Sequence, residues 1–67
     1  MELYEFINLV DPDCEGRAWL TFKNKTGEME AKANTCSSFL SPISNREIDF
    51  VRASGEDEFE IYLIGDL

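Results

Sequence analysis

Residues 17–33 read RAWLTFKNKTGEMEAKA and decide the fold predicted for this chain of 67 residues. Apolar and polar side chains alternate in residues 17–23 and again in residues 28–33, which is the pattern of half-buried strands. The residues between them, NKTG, favour a tight turn because Gly27 tolerates a positive φ. The stretch therefore predicts a β-hairpin, although Glu, Lys and Ala in its second half favour helix when taken alone.

Three other segments also have the composition of strands. Residues 3–10, LYEFINLV, contain many β-forming residues and are apolar on both faces, which predicts a strand covered on both sides. Residues 47–53 and 58–64 predict two more strands, and residues 54–57 predict the turn between them. The chain is thus expected to form five strands.

The segment 34–46 is the least regular part of the sequence, because Ser and Asn dominate it and Pro42 interrupts any longer element. It predicts a long connection with one short helical turn at residues 35–41, capped by Ser37 or Ser38. The apolar residues expected to anchor this connection are Phe39, Leu40 and Ile43.

The predicted fold class is all-β, with a single domain over residues 1–67 and a small five-stranded antiparallel sheet. One face of such a sheet needs a cover. The sheet therefore either curls into a small barrel of SH3 or OB size or is covered by residues 34–46. The residues expected on the inward face are Leu20, Phe22, Met29, Ala31, Ile48, Phe50, Phe59, Ile61 and Leu63.

The charge of the chain disfavours several classes of function. Fourteen acidic residues against six basic ones give a formal net charge of −8, and the sequence contains no histidine. Direct binding of nucleic acid is not expected, because it needs clustered Lys and Arg. Catalysis and metal binding by histidine are impossible. An apolar fraction of 43% with an aromatic fraction of 12% favours a folded domain over an acidic disordered tail.

The cysteines are interpreted from the expected compartment. Neither a secretory leader nor a membrane-spanning segment is apparent, which predicts a cytoplasmic protein without membrane contact. Cys14 and Cys36 are then expected to remain free thiols, one in a loop and the other partly packed. Two cysteines without histidine do not make a zinc site, so no metal or other cofactor is expected.

Residues 11–16, DPDCEG, match the first half of a calcium-binding loop, with acidic residues at alternate positions followed by glycine. The second half departs from that pattern, because Phe22 stands where a bidentate Glu is needed. An ordinary acidic turn, in which Asp side chains accept hydrogen bonds from nearby backbone amides, is the simpler interpretation. A weak calcium-binding module remains an alternative function.

A second acidic cluster covers residues 56–60. Paired carboxylates carry out acid–base catalysis when burial raises the pKa of one of them. This cluster is predicted to lie in a turn and on an outward face, where carboxylates stay solvated and ionised. Because no nucleophile, histidine or glycine-rich phosphate loop accompanies it, the chain is not expected to be an enzyme.

Outward carboxylates on two predicted strands favour a binding function. Glu28 and Glu30, like Glu58 and Glu60, lie about 6.6 Å apart along a strand, close to the phosphate spacing of a nucleic-acid strand. The leading hypothesis is a non-enzymatic acidic interaction module that occupies a basic, nucleic-acid-binding surface of a partner protein. Such a module would act as an inhibitor or nucleic-acid mimic, of a kind often encoded by phages or mobile elements. The candidate partner-binding residues are Asp11, Asp13, Glu15, Trp19, Glu28, Glu30, Glu56, Asp57, Glu58, Glu60 and Tyr62.

The aromatic residues Trp19 and Tyr62 leave a second alternative open. With Val51 and Ile64 they are predicted to lie on the face opposite the inward set. That face is either a second layer of the core or an exposed patch. An exposed patch would make the chain a homodimer or a structural subunit of a larger assembly, with Trp19 and Tyr62 as anchors.

Overall fold

The computed structural model describes residues 1–65 and Leu67. Its elements are helix α1 (Leu3–Val10), strand β1 (Trp19–Lys23), strand β2 (Met29–Asn34), a 3-10 helix (Ser38–Ile43), strand β3 (Ile48–Gly55) and strand β4 (Glu58–Leu63). The four strands form one sheet in the order β2-β1-β4-β3. Both outer pairs are antiparallel, whereas the central strands β1 and β4 are parallel.

The predicted all-β class is confirmed only in a coarse form, since the chain is mostly β but contains a short α-helix. The sheet has four strands rather than five, is mixed rather than antiparallel, and is not closed into a barrel. The connection from β2 to β3 crosses from one edge of the sheet to the other. Strand β4 consequently returns beside β1 in the same direction, which a sheet of successive hairpins does not produce.

Residues 3–10 form an α-helix, so the prediction of a first strand is wrong. Leu3, Phe6 and Ile7 follow the i, i+3, i+4 spacing of one helix face, and the segment therefore satisfies the helical period as well as the strand period. The backbone N–H of Glu2 donates to the Glu5 carboxylate at 2.9 Å, which satisfies a donor at the helix start. This cap, and the burial of one face of the segment against the core, stabilise the helix relative to a strand.

The predicted hairpin at residues 17–33 is confirmed. The Asn24 side-chain oxygen accepts hydrogen bonds from the backbone N–H groups of Thr26 and Glu28, each at 3.0 Å. Gly27 has a φ of 85°, as the turn prediction requires. The turn is therefore specified by local side chains, which explains why the sequence pattern reveals it.

The predicted helical turn is also present, although it lies at Ser38–Ile43 instead of residues 35–41 and has 3-10 geometry. Ser37 caps it, because its side chain accepts a hydrogen bond from the Phe39 backbone N–H at 3.2 Å. Leu40 is buried and anchors the segment in the core. Among the described residues, no helix is both long and apolar enough to cross a membrane.

Helix α1 and the 3-10 helix both pack on one face of the sheet. Phe6 of α1 contacts Phe59 edge to face, with ring centroids 5.3 Å apart. Phe39 of the 3-10 helix approaches Phe22, with centroids 6.4 Å apart. The buried cluster between these layers consists of Leu3, Leu20, Phe22, Ala33, Leu40, Ile48, Ile61 and Leu63. Among the described residues, no helix lies over the opposite face of the sheet.

Two residues predicted to lie inward, Met29 and Phe50, are exposed to 63% and 46%. Irregularities in strand pairing explain both errors. The register shifts near Met29 in the first hairpin and between Ile48 and Phe50 in the second. One extra residue in a strand reverses the side on which the following residues lie. Val51, predicted to lie outward, consequently packs against the core.

Cys14 and Cys36 form a disulfide, so the expectation of free thiols is wrong. The bond joins the loop after α1 to the turn after β2, with Cα atoms 5.2 Å apart. The same two segments are also joined by a hydrogen bond from the Thr35 hydroxyl to Asp11. The first hairpin brings the cysteines together, because they flank it and its strands pair Trp19 with Asn34.

Candidate interaction surface

The sheet face without helices is called the open face here. It carries outward residues of all four strands: Trp19, Thr21, Lys23, Lys32, Phe50, Arg52, Glu58, Glu60 and Tyr62. Strand register puts residues from neighbouring strands side by side on this face, as Trp19 with Glu58 and Lys23 with Tyr62. The aromatic side chains therefore lie at the two ends of this face, and a row of polar and charged side chains separates them: Lys32, Thr21, Glu60 and Arg52.

Trp19 lies at one end of the open face within a small charged cluster. The Lys32 Nζ lies 5.7 Å from the centroid of the indole ring, in the range of a cation–π contact. The same ammonium is 3.6 Å from the Glu58 carboxylate. Trp19 is still 46% exposed, so much of its ring is free to contact another molecule.

Glu60 lies between two cations near the centre of the open face. Its carboxylate is 3.0 Å from the Lys23 Nζ and 3.8 Å from the Arg52 guanidinium, and its side chain is only 15% exposed. Glu58 is paired with Lys32. The predicted row of outward carboxylates on this strand exists, but its charge is neutralised within the protein and does not form a free row of negative charge.

The two acidic clusters of the sequence lie at the same end of the sheet, the end that holds Trp19. The loop with Asp13 and Glu15 leads into β1, and the turn with Glu56 and Asp57 leads into β4. Because β1 and β4 are parallel, they begin at the same end of the sheet. The Trp19 backbone N–H accordingly donates to the Asp57 carbonyl at 2.8 Å. We call this region the acidic end; its members are Asp13, Glu15, Arg17, Trp19, Lys32, Glu56, Asp57 and Glu58.

Asp11 organises the loop at the acidic end but is itself buried, with 1% of its surface exposed. Its carboxylate accepts hydrogen bonds from the Thr35 hydroxyl and from the backbone N–H groups of Glu15, Gly16 and Arg17. These bonds, the Thr35 bond first, lower the pKa of Asp11 to about 2 against the opposing effect of burial. Asp11 is therefore a structural residue, although the sequence suggested that it contacts a partner.

The same hydrogen bonds argue against the calcium alternative. Both carboxylate oxygens of Asp11 are occupied by donors from the protein, so the first position of the supposed calcium loop has no free ligand. The described residues also contain no group of three or more acidic or cysteine side chains that could hold a metal ion. The simpler interpretation of residues 11–16, a turn closed by an Asp side chain, describes the geometry.

We expect Asp11 to make stability fall at acid pH. Its pKa is about 2 in the folded protein and 3.8 without these contacts, so its contribution is complete above pH 3.8 and disappears as the pH falls through about 2. Denaturant midpoints measured from about pH 5 to pH 2 should fall more steeply for the wild type than for Asp11→Asn. Asp13→Asn, which changes an exposed carboxylate, should retain the steep fall. Equal slopes for wild type and Asp11→Asn would contradict the assignment.

The remaining predicted residues lie elsewhere. Glu28 and Glu30 are exposed at and beside the hairpin turn, away from the acidic end. Tyr62 lies at the opposite end of the open face, where its ring stacks on Phe50 with centroids 4.2 Å apart and planes 12° apart. Phe50 was missed as a surface residue because the bulge beside it is not visible in the sequence pattern. Lys32 was missed because its partners lie on other strands.

Comparisons with known proteins give no match: no protein-family model fits the sequence, and neither a curated protein nor a solved structure is significantly similar to the chain. The features that bear on function are therefore those at the two ends of the open face. One end combines an exposed Trp with both acidic loops, and the other combines stacked aromatic rings with the lysines of the hairpin turn.

Proposed function

We propose that this protein is a non-enzymatic interaction module that binds a basic protein partner through the acidic end. The observation that carries the proposal is the parallel pairing of β1 and β4, which places both acidic loops beside the exposed Trp19. Aromatic anchors are enriched among the residues that carry most of the binding energy of protein interfaces, and polar and charged residues lie chiefly at the rim.

Charge complementarity supports a basic partner. The acidic end holds five exposed or half-exposed carboxylates against two cations, Arg17 and Lys32, within a chain of net charge −8. Arg17 is already paired with Glu15 at 2.7 Å, and Lys32 with Glu58. Three negative charges are left over: Glu56 and Asp57 form no salt bridge among the described residues, and Asp13, 3.9 Å from Arg17, shares that cation with Glu15. A surface of this kind steers a basic partner during association and holds it less well at high salt.

We propose further that this binding inhibits a partner whose basic surface normally holds nucleic acid. A basic surface that normally holds phosphates would be occupied by the carboxylates of the acidic end and blocked for nucleic acid. Mimicry of a phosphate row by Glu58 and Glu60 loses support, because Lys23, Lys32 and Arg52 neutralise them. We therefore expect the carboxylates of the two loops, and not Glu58 and Glu60, to occupy the phosphate-binding positions of the partner.

Self-association through the open face is the second candidate. It is favoured by the exposure of Phe50 and Met29, whose side chains are large and apolar. Such a dimer would depend on apolar contacts and would persist at high salt. Salt dependence and the oligomeric state therefore separate it from the binding of a basic partner.

The test compares two double variants with the same change in charge. Asp13→Lys with Glu56→Lys reverses charge at the acidic end, and Glu28→Lys with Glu30→Lys reverses it at the hairpin. Immobilised wild type is exposed to a lysate of the source organism at about 50 mM and about 500 mM salt. We expect a basic protein that is retained at low salt only, lost in the first double variant and kept in the second.

Trp19→Ala provides the second arm. With the captured partner in purified form, the substitution should weaken binding by about 2 kcal/mol or more, as is typical of a central aromatic anchor. A partner lost equally by both double variants would show a non-specific charge effect and overturn the proposal. A salt-resistant dimer that Phe50→Ser disrupts, without a captured partner, would favour self-association instead.

A further inference from the structure

A pocket of about 460 Å³ lies at the end of the open face opposite the acidic end. Its volume falls within the range of about 300–1,000 Å³ that is typical of small-molecule sites. The residues that line it are Lys23, Asn24, Lys25, Asp49, Phe50, Tyr62, Leu63, Ile64 and Gly65. None of the residues of the acidic end lines this pocket, so the proposed binding of a partner there does not account for it.

The floor of the pocket is a row of side chains across three strands. Strand register places Lys23 beside Tyr62, and Tyr62 beside Phe50. The two rings are stacked, with centroids 4.2 Å apart, and Phe50 remains 46% exposed. Because each ring covers one face of the other, the aromatic surface left for a ligand is chiefly that of Phe50, and Lys23 lies on the far side of Tyr62. An exposed ring with a cation nearby suits a ligand with an aromatic ring and a negative group.

The walls of the pocket are fixed by hydrogen bonds. The hairpin turn that carries Lys25 is held by the Asn24 side-chain oxygen, which accepts from two backbone N–H groups. On the other side, the Ile64 backbone N–H donates to the Glu47 carbonyl at 2.9 Å, and the Ile64 carbonyl accepts from the Arg46 guanidinium at 3.2 Å. A pocket formed in this way needs little ordering when a ligand binds.

The polar groups of the pocket favour a specific ligand chemistry. Within residues 1–65 and 67, Lys25 forms no salt bridge, and Lys23 shares its charge with Glu60. Both ammonium groups can therefore bind an anion. Asp49 adds an acceptor, which would repel a simple anion but can accept from a ring amine. The combination of cations, stacked rings and one acceptor matches a phosphate, a flat ring and an N–H donor in a single molecule.

We propose that this pocket binds a nucleoside monophosphate. The base contacts the exposed part of the Phe50 ring, its amine donates to Asp49, and the phosphate contacts Lys25 and Lys23. A longer nucleic acid is disfavoured, because it would continue past the pocket onto a protein of net charge −8, with the exposed Glu28 at the same hairpin as Lys25. The site accordingly accepts one nucleotide.

The experiment is a titration of the full chain with adenosine 5′-monophosphate, followed by backbone amide chemical shifts. We expect saturable shifts at residues 23–25, 49–50 and 62–65, and weaker binding of adenosine and of inorganic phosphate. Phe50→Leu should weaken binding about fivefold or more, because it removes base stacking. Lys25→Gln should weaken it as well, since it removes a cation that forms no salt bridge with any other described residue.

The matched controls lie at the acidic end. Trp19→Leu and Lys32→Gln also change an aromatic residue and a lysine of the open face, and they should leave binding of the nucleotide unchanged. Circular dichroism of each variant establishes that it is folded. The proposal is overturned if folded wild type shows no saturable shifts, if the control variants weaken binding equally, or if a single-stranded oligonucleotide binds more tightly than the mononucleotide.

Discussion

Removal of the Cys14–Cys36 disulfide is expected to lower the free energy of unfolding by about 3 kcal/mol. The bond closes a loop with a sequence separation of 22 residues, and it restricts the unfolded chain chiefly by limiting the conformations of that loop. A domain of this length gains only about 3–5 kcal/mol from a single hydrophobic core. The loss is therefore comparable to the whole stability that the core provides.

The measurement is urea unfolding of the Cys14→Ser/Cys36→Ser double variant beside the wild type with and without reductant. The double variant and the reduced wild type should have the same lowered midpoint, because both lack the bond. The hydrogen bond from Thr35 to Asp11 still joins the two segments, so some folded protein should remain at low urea. A midpoint that reductant leaves unchanged would contradict the expected contribution of the disulfide.

Local features of this fold are predictable from the sequence. The first hairpin and the cap of the 3-10 helix depend on Asn24, Gly27 and Ser37, whose side chains or backbone act within four residues of their own position. A pattern read along the chain contains all the information that such a turn requires. Residues 17–33 and 38–43 accordingly have the predicted kind of structure.

Features that depend on tertiary contacts are not predictable in this way. Residues 3–10 satisfy both the strand and the helix period, and only packing on the sheet selects the helix. The parallel pairing of β1 with β4 depends on the path of the segment between β2 and β3. The disulfide does not depend on that path, because Cys14 and Cys36 flank the first hairpin, whose pairing of Trp19 with Asn34 brings the flanking segments together. The expectation of free thiols followed from the assumed compartment and not from the geometry of the hairpin.

The residues of the candidate site also divide into those that local sequence reveals and those that only tertiary contacts define. The sequence identifies Trp19 and both acidic clusters, because they are visible as residue types in local stretches. It does not show that both clusters lie at one end of the sheet, or that Glu60 is neutralised by Lys23 and Arg52. It also assigns Asp11 to the surface, because nothing local indicates that the Thr35 hydroxyl, 24 residues away, donates to its carboxylate.

Replacement of Phe by Ala at two positions should have very different effects, although the alternating pattern predicts that both positions face inward. Phe22 is 1% exposed and belongs to the buried cluster, so Phe22→Ala should lower the free energy of unfolding by about 3–5 kcal/mol. Phe50 is 46% exposed and contacts Tyr62 on the open face, so Phe50→Ala should cost about 1 kcal/mol.

Because the chemical change is the same in both variants, the comparison tests the bulge between Ile48 and Phe50 directly. Unfolding curves of both variants in urea give the two free energies, with Val51→Ala as a further check. Val51 packs against the core just after the bulge, so its truncation should cost more than a surface substitution, which usually changes stability by less than about 0.5 kcal/mol. If Phe50→Ala were as destabilising as Phe22→Ala and Val51→Ala had no effect, β3 would pair without the bulge, and the stacked rings would not line the proposed nucleotide pocket.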